Sequence, residues 1–159
     1  MFYKNKQKGF GLLEIIIGLA AISFSLFGIL SVSQVSLQII NNDTQKLKAD
    51  FLAEEGMEAV RILRDFSWNN NIKPLTPDND YYLYFNGNTW QSTTTPVYID
   101  GFERKFVLSD VYRDGNDDIA SGGNLDPDTK KITIFVSWQR RNSTTTDIIS
   151  TYLTNLFKN

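Results

Sequence analysis

Between Gly9 and Asn42 the chain carries one charged side chain, Glu14, and the block GLLEIIIGLAAISFSLFGIL from Gly11 to Leu30 is otherwise apolar but for two serines. A helix rises about 1.5 Å per residue, so this block covers roughly 30 Å, the thickness of a bilayer's hydrocarbon core. The residues before it hold Lys4, Lys6 and Lys8 and no acid. A basic leader ahead of an apolar run keeps the N-terminus in the cytoplasm and sends the following chain, here from about residue 43, across the membrane. A cleaved secretory signal has the same order of parts, but its apolar core runs for only about 7 to 15 residues and ends at a small-residue cleavage site. Here the run continues as SVSQVSLQII, Leu19-Ala20-Ala21 lies inside it, and no Pro occurs before Pro74. A retained membrane helix is the expectation.

Composition narrows the chemistry. The 159 residues include no His and no Cys. A disulfide scaffold, thiolate catalysis, Cys-ligated zinc and histidine-based triads are thereby excluded. With 16 Lys+Arg against 18 Asp+Glu there is no bulk charge to drive nucleic-acid binding, and nucleic acid is not an expected partner. No nucleophile has an identifiable base beside it, so an enzyme is not expected.

A carboxylate within hydrocarbon costs about 2.5–3.5 kcal/mol on insertion scales, which makes Glu14 a functional candidate in need of a partner. The string Lys8-Gly9-Phe10-Gly11-Leu12-Leu13-Glu14, followed by the apolar run, resembles the processing signal of type IV pilins and pseudopilins. That signal is a short basic leader, a Gly, an aromatic residue and a Glu at the fifth place after the Gly. The resemblance covers about residues 4 to 35. It implies that a prepilin peptidase cuts after Gly9 and methylates Phe10, and that Glu14 is the acid through which subunits assemble. It also implies an inner-membrane assembly platform and other pilin or pseudopilin subunits as partners. Before assembly the chain would be a single-pass inner-membrane protein, and afterwards part of a filament at the cell surface.

Elementary electrostatics agrees with that pairing. A new α-amine at Phe10, titrating ordinarily near pH ~8, is cationic at neutral pH. In a low-dielectric bundle it and a neighbour's Glu14 are each costly alone and far less so together. Gly18, Ala21, Ser25 and Gly28 add a line of small surface that would let helices approach closely, although ordinary membrane-helix composition also accounts for them. Many major pilins carry a helix-kinking Pro in the second half of this segment. Leu30-Ser31-Val32-Ser33 stands there instead, which points to a minor pilin or pseudopilin.

The helix is expected to continue to about residue 66. Ala49, Leu52, Ala53, Gly56, Met57, Val60 and Leu63 recur at helical spacing and form an apolar stripe. Glu54-Glu55 point about 100° apart on such a helix and read as a solvated face. Ser67 to Asp80 reads as a loop. Strands are expected at Tyr81 to Phe85, Thr89 to Ser92, Val97 to Ile99, Lys105 to Tyr112, Ile132 to Trp138 and Ile148 to Leu156. The fold class is therefore α+β, a long helix laid on an antiparallel sheet of four to six strands. The domain plan is a leader at 1–9, an apolar helix at 10–42, its amphipathic continuation at 43–66 and a globular domain at 67–159.

Two features of the globule could carry chemistry. In the loop Asp110 to Asp128, the oxygens of Asp114, Asn116 and Asp118 alternate around Gly115, hinting at calcium, which some pseudopilins bind. Ile119 stands where an EF-hand needs Gly and Leu125 where it needs Glu, so a solvated acidic turn is the competing reading. Arg140-Arg141 beside Trp138 could touch single-stranded DNA, or simply close a polar hairpin. The whole chain reads as a non-enzymatic filament subunit without a cofactor. The alternative is a monomeric extracytoplasmic binding domain on an uncleaved anchor.

Overall fold

The computed structural model describes residues 11–158. Two compact units divide between Thr44 and Gln45, and one helix, α1 (Leu12–Phe66), crosses that division. In the first unit every described residue is exposed except Asn42, which is partly covered. Its large apolar side chains are half exposed or more.

In the second unit α1 turns one stripe to a sheet. Ala49, Ala53, Gly56, Met57, Val60 and Leu63 are buried as the helical spacing requires, Leu52 is partly buried, and Ala59 joins them. Small residues at 49, 53, 56 and 59 bring the helix axis close to the strands. α1 ends where Asn71 Nδ2 and Ser67 N donate to Leu63 O at 2.9 and 3.2 Å. The expected loop from Ser67 to Asp80 begins instead with a helical turn, α2 (Trp68–Asn71), capped by Ser67 Oγ, which accepts from Asn70 N at 3.3 Å. That turn drives Trp68 and Ile72 into the core, which the Asn-rich sequence conceals.

The strands are β1 (Tyr81–Phe85), β2 (Trp90–Thr93), β3 (Tyr98–Ile99), β4 (Phe102–Arg113), β5 (Ile119–Ala120), β6 (Asn124–Arg140) and β7 (Ser143–Thr154). All the pairings are antiparallel, in the order β2-β1-β4-β6-β7, with β3 and β5 each pairing with β4 beside that path. Among the described residues the sheet thus has seven strands rather than four to six. Phe102, Phe106 and Leu108 of β4 and Ile132, Ile134, Val136 and Trp138 of β6 face α1, giving the period-2 burial of a sheet covered on one side.

The expected loop from Asp110 to Asp128 is largely a β arm. After a register shift between Asp110 and Val111, Val111, Tyr112 and Arg113 pair with Asp126, Leu125 and Asn124. Gly123 makes the arm close: its φ is +128°, and a Cβ there would lie 2.2 Å from Arg113 O. β7 begins five residues earlier than expected, because Thr144-Thr145-Thr146 are β-branched and pair with Gln139, Trp138 and Ser137.

Candidate assembly site

The first unit holds the residue singled out for assembly. Glu14 N and Ile15 N donate to Gly11 O at 3.0 and 3.3 Å, so Glu14 stands in the first turn of α1. A carboxylate there meets the positive end of the helix dipole. Gly9 and Phe10 lie outside the described residues. Around Glu14 the helix presents Leu12, Leu13, Ile15, Ile16 and Ile17 to the exterior. A Cβ built on Gly18 or Gly28 would meet no atom within 4 Å, leaving open space beside the backbone for another helix or for lipid.

The hydroxyls of this segment are satisfied internally. Ser23, Ser25, Ser31, Ser33 and Ser36 donate to the carbonyls of Leu19, Ala21, Phe27, Ile29 and Val32 at 2.8 to 3.0 Å. Serines bonded this way need no water, as a helix in hydrocarbon requires. The helix is long and apolar enough to cross a membrane.

Neither candidate in the globule gathers as its sequence hinted. Asp114 Oδ1 accepts Asn116 N at 2.8 Å and Asp118 N at 3.1 Å, which closes a tight turn on itself. The cation in that neighbourhood is Arg113: its Nε donates to Asp126 Oδ2 at 2.7 Å and its Nη1 to Asp117 O at 2.7 Å. The Arg113 hydrogen bond holds the Asp126 carboxyl below its usual range, and Asp126 raises the guanidinium in turn. Among the described residues no three acidic side chains come together in a metal-binding group. Arg140 and Arg141 sit at the β6–β7 turn, but Trp138 is buried against Phe102, with ring centroids 5.7 Å apart, and presents no face on which a base could stack.

Two charged arrangements were missed by sequence reasoning. Arg104, 1% exposed, lies under α1, pairs with Glu55, donates to Leu52 O at 3.2 Å and covers the Trp90 ring at 5.2 Å. Glu55 is thus half of an ion pair holding helix to sheet, not simply a solvated acid. Gly56 makes the room, since a Cβ there would stand 2.9 Å from Arg104 Cδ and 3.3 Å from Ile134 Cγ2. The signal was the parity of Arg104 with Phe102 and Phe106. The second arrangement joins Asp50 of α1 to Asp147 of β7: their hydrogen bond, then partial burial, then the charge of Asp147 raise the Asp50 carboxyl above its usual range. One acid lies on the helix and the other on the last strand, so no local pattern could have paired them.

No protein-family model, curated protein or solved structure matches the chain. What stands is the architecture: a long helix, apolar in its N-terminal part, whose later turns pack on an antiparallel sheet in an α+β layout.

Proposed function

We propose that this chain is a structural subunit of a type IV pilus-like or type II secretion-like filament, a minor pilin or pseudopilin. It is inserted in the inner membrane with residues 1–9 in the cytoplasm, cut after Gly9, methylated at Phe10 and drawn into the filament through its N-terminal helix. The observation that carries this reading is the exposed apolar surface of α1 from Leu12 to Ile40, with Glu14 as its one ionisable group. In the membrane that surface meets lipid, and in a filament it meets the same surface of other subunits. Open, non-closing contacts between similar subunits generate a fibre. Glu14 of one subunit then neutralises the Phe10 amine of the next and sets the axial register, while the globular domain forms the outside.

The test is the intact mass and N-terminal peptide of protein purified from its host's membranes, alongside the Glu14→Ala variant. An N-methylated Phe10 terminus, with the variant retained in the membrane and missing from sheared filaments, is the expected result. A chain still starting at Met1 in cells with an active prepilin peptidase refutes the proposal and leaves an anchored monomeric domain.

A further inference from the structure

β7 ends the sheet path, and among the described residues its ladder partner is β6 alone. The turn between Arg140 and Ser143 has two residues, and the pair closing such a hairpin is a hydrogen-bonded one. Alternation along the strand then aims the backbone N–H and C=O groups of Thr144, Thr146, Ile148, Ser150 and Tyr152 at the open edge. Natural sheets blunt such edges with Lys, Pro, bulges, brevity or an inward-pointing charge, and β7 has only the last, Asp147. β2, at the other end of the path, is four residues long, whereas β7 runs for twelve with no Lys, Arg or Pro. Ile148 and Tyr152 are 55% and 49% exposed on it.

The surface beside this edge is acidic. A groove of about 650 Å³ runs along β7, walled by Glu54, Glu58 and Arg61 of α1 and floored by Ile149, Ser150 and Thr151. Arg61 is occupied by Glu58 at 3.2 Å. Asp50, Asp147 and Glu54 form no ion pair among the described residues, and Asp147 acts on Asp50 closely enough to raise its carboxyl. Lys46, one turn before Asp50, is an opposing charge on the helix that acts on it.

We propose that the open edge of β7 docks an extended basic segment of a partner protein, which adds as a further strand and sets Lys or Arg side chains against Asp50, Asp147 and Glu54. In strand addition the main-chain ladder supplies affinity and alternate side chains supply selection. Asp147 is the selecting element: a charge on the helix-facing side of an edge strand repels acidic strands, would be left desolvated and unpaired by neutral ones, and attracts a cation. A second copy of β7 is the wrong occupant, because antiparallel pairing centred on Ile148 sets Asp147 opposite Ile149 and diagonal to its counterpart, and brings acidic wall to acidic wall. The proposal rests on the second unit alone and is independent of the filament reading.

The test uses the full chain in detergent with a short synthetic peptide alternating Lys with Val, and a control with Glu in place of Lys. Amide hydrogen exchange and fluorescence anisotropy are the readouts. The Lys peptide is expected to saturate and to protect the edge amides of β7. Ser150→Pro, which removes an edge donor without touching the β6 ladder, is expected to weaken binding about tenfold or more. Asp147→Asn combined with Glu54→Gln, which leaves the edge intact, is expected to erase the preference for Lys over Glu. Absence of β7 protection, equal binding of both peptides to the unmodified protein, or the same protection arising without peptide as protein concentration rises would each overturn it, the last by assigning the edge to a second copy.

Discussion

Replacing Gly56 with Ala probes the closest approach of helix to sheet. In an ordinary helix interior this change stabilises by about 1 kcal/mol through backbone propensity. At this site the new methyl would stand 2.9 Å from Arg104 Cδ and 3.3 Å from Ile134 Cγ2. Cδ is not a free end: beyond it the guanidinium is held by Glu55, by Leu52 O at 3.2 Å and by the Trp90 face, so the methylene has nowhere to retreat. Overpacking of this kind costs about 1–3 kcal/mol, which leaves a net loss of roughly 1 kcal/mol. With Arg104→Ala as background, Cγ and Cδ are gone and the Ile134 methyl can shift into the space they leave, so Gly56→Ala should instead stabilise by about 1 kcal/mol through propensity. The coupling between the two sites is then about 2 kcal/mol. Urea unfolding of the detergent-solubilised protein, followed by the fluorescence of Trp68, Trp90 and Trp138, measures all four corners of the cycle. If Gly56→Ala stabilises equally in both backgrounds, Arg104 does not pass beneath the helix and the packing argument is wrong.

Asp147→Asn should raise the melting temperature at neutral pH. Because the Asp50 carboxyl is raised in the folded state, folded protein holds a proton that the unfolded chain releases, so stability falls as pH climbs from the ordinary value of 3.8 through the raised one. The substitution should flatten that decline, and a melting curve series with unchanged pH slope would count against the acid pair. Gly123→Ala, forced to keep φ at +128° with its methyl against Arg113 O, should destabilise by about 1–3 kcal/mol or open the β4–β6 arm, as calorimetry and arm amide exchange would record. With Asp114 Oδ1 engaged by two backbone N–H groups and Arg113 amid the acids, the melting temperatures of the native protein and of the Asp114→Ala, Asp118→Ala double variant should each be the same in calcium and in chelator. A calcium-induced rise abolished by the double variant would restore the metal reading.

Periodicity made several elements legible. The apolar stripe from Ala49 to Leu63 carries enough matches to the helical period that its burial follows from spacing. Tyr81–Phe85 and the central part of β6, Ile132 to Trp138, are equally plain, since aromatic and β-branched residues alternate or cluster between turn signals. Illegible elements were those whose residues contradict their local preference. Trp68 to Asn71 reads as loop by its asparagines, yet burial of Trp68 and Ile72 outweighs propensity there. Beyond the buried Val111 the arm to Asp126 is polar because it largely meets solvent, so no alternation marks it. Arg104 broke the apolar pattern of β4, and the expected strand began after it, at Lys105.

The chain's own sequence determined the features that arise within a few turns of backbone: an apolar helix long enough to cross a membrane, a single acid in its first turn, and the side of its continuation that must be buried. These depend on hydrophobic spacing and helix rise, which need no partner. Tertiary structure alone decided what distant residues do to one another. Glu55 becomes an anchor because Arg104 is brought beneath it, the Asp50 carboxyl is raised because Asp147 arrives beside it, and among the described residues the far edge of β7 stays unpaired because the sheet path ends there. Charge interactions act across space and strand order is set by the whole sheet, so neither is written in the neighbouring residues.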